Sequence, residues 1–273
     1  MADTKVVLLT GGSAGIGLEL AILLMEKGVR VYSASRRLSE VRKASSGSGE
    51  IIPVQMDVNV ESDIQAVISR ILKENSRLDA VVCNAGNGIA GSIEDCNESE
   101  TRFQLETNFF GAVKTIQACL PVFRKQGGGK IMATSSIAAI TPIPYQAFYS
   151  AGKAALSIFM QALAIETKPF GIQCCTVLPG DTKTEFTNTR KYTIKSQSAD
   201  SAYTKRMKKA VQTMEKDEKN GMEAKYVATK MAKQLLRKRM KAVVVPGIGY
   251  KVIYSIYNLF PLSFRLWVIS KIY

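Results

Sequence analysis

Apolar positions along this chain fall into two alternating textures: short unbroken runs, and longer stretches in which apolar residues recur every three or four places. The runs are Lys5 to Leu9, Val29 to Ser33, Ile51 to Met56, Leu78 to Cys83, Lys130 to Thr134, Ile172 to Leu178 and Ala242 to Val245, and several stop at Asp57, Asn84, Pro179 or Pro246. Such runs predict strands buried on both faces, as in a parallel sheet. Between them the spacing predicts helices: Leu18 to Lys27, a stripe of Ile64, Val67, Ile68, Ile71 and Leu72, then Ser99 to Phe123, Ala147 to Thr167, and Glu223 to Arg239. Strands that alternate with helices imply right-handed crossovers and an α/β, doubly wound sheet of about seven parallel strands, with helices on both faces and the strand ends along one edge.

Three stretches stand outside that rhythm. Ala44-Ser45-Ser46-Gly47-Ser48-Gly49 reads as a surface loop. Asp181 to about Asn220 is polar, basic and methionine-bearing, and admits loop or helix. Beyond Pro246 an extension, 246–273, lies past what the minimal fold (1–245) requires. In it Val252, Ile253, Ile256, Tyr257, Leu259 and Phe260 keep helical spacing, Pro261 breaks the run, and Leu266, Trp267, Ile269 and Ile272 begin another. Lys251, Asn258, Arg265 and Lys271 interrupt it too often for a spanning helix, which needs roughly 18 or more apolar residues.

Composition narrows the function. With 273 residues, 46% of them hydrophobic, the chain affords a core without staples. It has no histidine, so a Ser-His-Asp hydrolase, a Cys-His protease and a His-ligated zinc site are excluded, and no metal site is expected. The five cysteines, Cys83, Cys96, Cys119, Cys174 and Cys175, are odd in number and unpaired in spacing, which suits a reducing compartment. The start, Met1 to Lys5, runs into the first strand, so no signal peptide and a cytoplasmic location are expected. Between Lys183 and Tyr273 there are twenty Lys and Arg against six Asp and Glu, so the whole +14 excess lies in the last third.

Candidate chemistry sits at the strand ends. Strand, glycine turn and helix follow one another through Thr10-Gly11-Gly12-Ser13-Ala14-Gly15-Ile16-Gly17. That order offers backbone N–H groups and a positive helix end to a pyrophosphate, with Gly11, Ser13, Gly15, Ile16 and Gly17 as the contact positions. The second strand leads into Ser35-Arg36-Arg37, where an NAD-specific site would place a carboxylate for the ribose hydroxyl. Arg36 or Arg37, with Ser35, would instead grip a 2′-phosphate, which makes NADP(H) the expected cofactor. Asp57-Val58 and Asn84-Ala85-Gly86 end the third and fourth strands, where they either meet the cofactor or cap ordinary loops. Tyr149 and Lys153, four apart, share one face of a helix, and Ser136 ends the strand before it. A lysine ammonium that brought a phenol from about 10 to about 7 would be supplying roughly 4 kcal/mol. Tyr149 is then the candidate general acid and base, and Ser136 the hydrogen-bond partner of the same substrate oxygen.

Thr10-Gly11 with Gly15 and Gly17, Asn84-Ala85-Gly86, Asn108, Ser136, Tyr149 with Lys153, and Pro179-Gly180 together resemble the short-chain dehydrogenase/reductase family over about Lys5 to Val245. The resemblance implies that Tyr149 transfers the proton, that Lys153 holds the nicotinamide ribose hydroxyls and lowers the Tyr149 pKa, that Ser136 orients the substrate oxygen, and that Asn108 supports a water relay to Lys153. It also implies cofactor contacts from Pro179, Gly180, Thr182 and Thr184, a mobile lid over the nicotinamide end, and a homodimer or homotetramer through the two long helices. Departures are Cys83, where the family often has Asn, and Thr182, where an aliphatic residue is usual. Ser135 competes for the Ser136 role, and the spacing to Tyr149 favours Ser136.

For the extension three readings stay open: a cover over the substrate cleft, a subunit interface, or peripheral contact with an anionic membrane. Its Tyr and Phe suit a lipophilic ketone or alcohol and resemble the steroid, retinoid and acyl-dihydroxyacetone-phosphate reducing branch, with steroid or bile-acid carbonyls first. A nucleic-acid partner would use the basic third but leaves Tyr149, Lys153 and Ser136 unexplained, so none is expected. A catalytically inactive cofactor-binding scaffold is the alternative of another class, opposed by the intact set of Asn108, Ser136, Tyr149 and Lys153.

Overall fold

A computed structural model describes residues 4–38, 40–45 and 47–273; Met1 to Asp3 of the chain start and Ser46 of the expected surface loop lie outside the described residues. Seven strands run parallel: β1 (Val6–Thr10), β2 (Arg30–Ser35), β3 (Glu50–Gln55), β4 (Ala80–Cys83), β5 (Gly129–Thr134), β6 (Ile172–Val177) and β7 (Val243–Val244). Their order in the sheet is β7-β6-β5-β4-β1-β2-β3. The order reverses beside β1, and the crevice at that switch point is where an open α/β sheet takes its ligand. An eighth strand, Arg42–Lys43, adds antiparallel to the β3 edge, and the turn joining them closes where the Ala44 N–H meets the Gly49 carbonyl at 2.9 Å. That hairpin was not legible as a strand because two exposed basic residues carry no apolar pattern.

Helices cover both faces. On one face α1 (Gly15–Glu26) and α7 (Ala224–Leu236) bury Leu20, Leu24, Val227 and Met231 against Val7, Leu9, Val31 and Val82. On the other, α2 (Glu61–Asn75), α3 (Glu98–Leu105), α4 (Gly111–Gln126) and α5 (Ala147–Glu166) enclose a second core with Ile64, Ile71, Ile116, Phe123 and Leu156. The apolar stripe predicted for α2 is the buried face, with Glu61 and Asp63 in its first turn toward the positive helix end.

Two places differ from the sequence reading. The helix expected over Ser99 to Phe123 is interrupted by a π turn, Glu106–Phe110, in which the Gly111 N–H reaches back to the Glu106 carbonyl. Such a turn widens the backbone and marks functional positions in many helices, and Asn108 lies buried inside it. The segment after β6 is folded: a short parallel pair of Thr182–Lys183 with Met222–Glu223, a second of Lys191–Tyr192 with Ile89–Ala90, a single helical turn Phe186–Thr189, and the helix α6 (Thr204–Lys219). The extension forms α8 (Ile248–Ile256) and α9 (Leu262–Ile272), neither of which buries a residue.

Candidate active site

The turn between β1 and α1 is shaped for an anion. Gly11 and Gly15 hold φ of 67° and 53°, in the left-handed region. A Cβ on Gly17 would fall 2.1 Å from the Gly11 carbonyl oxygen. Ala14 gives α1 no side-chain cap, and no acid stands in its first turn, so the N–H groups around Ile16 and Gly17 are left for a ligand. Ser13 lies on the same turn, and Thr184 packs over it, its Cβ 3.2 Å from where a Gly15 side chain would begin. Thr10 ties the turn to its neighbour: its hydroxyl accepts the N–H groups of Asn84 and Ala85 at 3.0 and 3.1 Å. Asn84 donates to the Gly11 carbonyl at 3.2 Å and accepts from the Thr134 hydroxyl at 3.1 Å, which locks the ends of β1, β4 and β5 together. A backbone cradle without side chains at an open helix end fits a dinucleotide pyrophosphate.

Other expected cofactor residues divide. Arg36 and Arg37 are exposed at the end of β2, and among the described residues neither forms an ion pair. The Ser35 hydroxyl is turned into its own loop, donating to the Arg37 carbonyl. Asp57 accepts the Asn59 N–H at 2.9 Å, a turn of the backbone that occupies one carboxylate oxygen. The Val58 side chain is in the core against Gly111, so only its backbone remains for a ligand. Thr182 returns its hydroxyl to the Gly180 carbonyl at 2.8 Å. The Pro179 carbonyl accepts the Ile137 N–H at 2.9 Å, joining the β6 edge to the Ser136 turn.

At the head of α5 the four candidate catalytic residues come together. Lys153 is buried, with its Nζ 5.7 Å from the centroid of the Tyr149 ring and donating to the Thr134 carbonyl at 2.9 Å. Asn108 donates to the Asn87 carbonyl and side-chain oxygens and to the Gln104 carbonyl, each at 2.9 Å. Gly86 separates these groups: a Cβ there would stand 2.8 Å from the Asn108 Oδ1 and 3.9 Å from the Lys153 Nζ. The Ser136 hydroxyl caps the turn Ile137–Ala139 by accepting the Ala138 N–H at 3.1 Å, and it also reaches Tyr149. Ser135 has a different task. Its hydroxyl is buried, donates to the Lys153 carbonyl at 2.9 Å and pairs with the Ser157 hydroxyl at 2.8 Å, fastening α5 to β5.

Electrostatics here reverse one expectation. The Tyr149 phenol is not lowered by Lys153; burial pushes it up to about 12, opposed by the hydrogen bond from Ser136, with Glu218 and Asp181 adding to the rise and Arg190 opposing it. Burial also presses the Lys153 ammonium down to about 8. Desolvation penalises the charged form of each group, and the ammonium is directed at a carbonyl of β5 rather than at the phenol.

Sequence reasoning missed the residues that reach the site from the segment after β6 and from α8. The Phe186 ring lies 5.7 Å from the Tyr149 ring, tilted by 51°. Arg190 stacks on Phe186 at 5.7 Å and pairs with Glu218, while its Nε and Nη1 are buried with no partner among the described residues. Tyr250, from α8, packs on Gly180, donates to the Asp181 carboxylate at 2.7 Å and accepts the Asp181 N–H at 3.0 Å. Only Phe186, two places after Thr184, carried a local signal; the others arrive by chain reversals that no motif encodes. Asn87, which continues Asn84 to Gly86, was legible in position but not in its bond to Asn108.

A family model described as short chain dehydrogenase matches residues 5–195. A 3-ketodihydrosphingosine reductase of Bacteroides thetaiotaomicron is 37% identical over 235 residues, covering 86% of this chain and 84% of that protein. The 17-beta-hydroxysteroid dehydrogenase type 1 of Homo sapiens is 34% identical over 196 residues, covering 68% of this chain and 59% of that protein. Among solved structures, a short-chain dehydrogenase from Streptomyces avermitilis superposes with a TM-score of 0.79 at 23% identity, covering 94% of this chain and 93% of that one. With the cradle, the Asn108, Ser136, Tyr149 and Lys153 cluster and these relatives in agreement, the chain belongs to the short-chain dehydrogenase/reductase family of oxidoreductases.

Proposed function

We propose that this chain is an NADP(H)-dependent reductase that converts the ketone of a lipophilic substrate to a secondary alcohol in the cytoplasm. The observation that carries the reading is the gathering of Ser136, Tyr149 and Lys153 beside the glycine cradle, with Arg36 and Arg37 exposed where a ribose-binding acid would stand.

When bound, the cofactor supplies the hydride. The chain manages the proton and the geometry. Tyr149 donates its phenolic proton to the substrate oxygen as charge develops there. Ser136 donates a second hydrogen bond to the same oxygen. Lys153 would hold the nicotinamide ribose hydroxyls, and Asn108 keeps the Asn87 loop open beside it. Arg36 or Arg37 would pair with the 2′-phosphate.

For the substrate, the Phe186 ring against Tyr149 and the aromatic Tyr250 on Gly180 favour an apolar body at the reacting carbon. The relatives named for 3-ketodihydrosphingosine and for a hydroxysteroid favour a long-chain or polycyclic ketone. Arg190 offers two unpartnered N–H groups to a hydroxyl, carboxylate or phosphate oxygen on that substrate. A homodimer or homotetramer through α4 and α5 belongs to the same proposal, since α5 turns Ile158 and Ile165 to solvent.

Consumption of NADPH over a panel of 3-ketodihydrosphingosine, steroid ketones and an acyl ketone phosphate tests this reading. Turnover with at least one lipophilic ketone, faster with NADPH than with NADH, is expected. Turnover confined to small polar ketones, or a preference for NADH, overturns it.

A further inference from the structure

The extension is tied down at its start and bare along most of its length. At its start Tyr250 is bonded to Asp181; at its end Tyr273 is half-buried, its phenol pushed up to about 12 by burial and by the nearby charges of Asp181, Asp217 and Glu218. The arc from Ile248 to Ile272 holds thirteen of the 23 exposed large apolar side chains among the described residues. Leu259 is 78% exposed, Leu262 59% and Trp267 57%. Water does not favour that arrangement. A helix that is apolar all round is stable only where something covers it, and a patch of this extent on a soluble surface marks an interaction site.

Charge identifies the cover. From Ala224 to Tyr273 there are ten Lys and Arg and no Asp or Glu. In the arc itself Lys251, Arg265 and Lys271 are interleaved with the apolar residues, and Arg265 stacks on Tyr257 at 4.7 Å. A second copy of the same face would bring cations against cations without a carboxylate to answer them. An anionic bilayer answers both features, taking the apolar side chains into the headgroup boundary and the cations at the phosphates. Neither α8 nor α9, of nine and eleven residues, is long enough to cross a bilayer. We infer that α8 and α9 dock this protein peripherally on an anionic phospholipid surface, with the substrate cleft held at that surface by Tyr250. The inference stands on exposure and charge and is independent of the reductase reading.

The chain's single tryptophan is Trp267, so docking has its own spectroscopic signal. At low salt the full chain should float with vesicles containing phosphatidylglycerol, bind pure phosphatidylcholine about tenfold less, and show a blue-shifted Trp267 emission on binding. The double variant Leu262→Glu with Phe264→Glu, both at exposed positions, should lose flotation and the blue shift while keeping the native melting temperature. The idea is overturned if the native chain stays with the soluble fraction in the presence of anionic vesicles at low salt. It is equally overturned if the blue shift follows protein concentration without lipid and sediments as a dimer that the double variant abolishes, which would make a second copy the occupant.

Discussion

The sheet edge and the segment that covers it differ in how their functional side chains are anchored. At the edge, Asn84, Asn108, Ser135 and Lys153 are tied to main-chain atoms of other elements: the Gly11, Asn87, Lys153 and Thr134 carbonyls. The cover adds to its two short strand pairs a set of bonds between side chains: Ser196 and Ser201 on Asp95, Arg190 on Glu218, Tyr250 on Asp181. Groups bound to main chain cannot shift without disturbing the sheet, so Asn84, Asn108, Ser135 and Lys153 are pre-positioned. Side-chain pairs of that kind can be exchanged by a few substitutions without touching the sheet. Under the proposed function, the edge sets the reaction class and the cover the choice of substrate, and the variants below separate the two.

The largest expected effect tests the edge. Tyr149→Phe removes one hydroxyl and leaves the ring against Phe186, so kcat/KM should fall about 1000-fold, about 4 kcal/mol, with cofactor affinity and melting temperature unchanged. Native turnover in that variant would move the chemistry away from α5. Next, Arg36→Asp replaces the charge proposed to pair with the 2′-phosphate by a carboxylate suited to a ribose hydroxyl, and should shift the NADPH-to-NADH ratio of specificity constants about 100-fold, about 3 kcal/mol, with kcat little changed. An unchanged ratio would assign the selection to Arg37 or to neither.

Smaller effects test the cover. Asp95 is buried, and its carboxyl is held below the usual carboxylate range by the hydrogen bond from Ser201, against the cost of burial, with Ser92, the Lys195 ammonium and Ser196 helping. A lowered folded-state value gives stability that is complete above the unfolded value of about 3.9 and is lost as pH falls through the folded one. Protease cleavage within the lid should therefore rise as the pH is taken below about 4, and Asp95→Asn should show it at neutral pH with a loss of about 2 kcal/mol. The same susceptibility in both proteins at pH 7 would show that the lid is held elsewhere. The smallest change is Tyr250→Phe, which keeps the packing on Gly180 and removes the bonds to Asp181. It should cost about 1 kcal/mol, read as a rise in KM for a lipophilic ketone at unchanged kcat. A fall in kcat instead would place Tyr250 with the edge.

Much of the edge was readable from residue order. Continuous apolar runs announced the strands, and residues that followed two of them, Gly11 and Asn84, were the ones that met at the switch point. Asn108 stood out as an amide among apolar neighbours, which needs a partner. The direction of the Tyr149 pKa was not readable, because spacing places two groups on one helix face but says nothing of how much water remains there. Arg190 and Tyr250 were hidden as well, one in a polar stretch without period and the other in an extension whose path back to Asp181 no local pattern describes.

By itself the sequence determined the doubly wound sheet, its glycine turn, the placing of Tyr149 one helical turn before Lys153, and the cationic bias of the last third, since each follows from local period, local sterics or simple composition. Only the tertiary structure decided that Lys153 points at Thr134, that Ser135 fastens α5 while Ser136 faces the phenol, and that α8 and α9 leave their apolar residues in the open. Those outcomes depend on which surfaces exclude water from which groups, and that is set by packing between segments far apart in the chain.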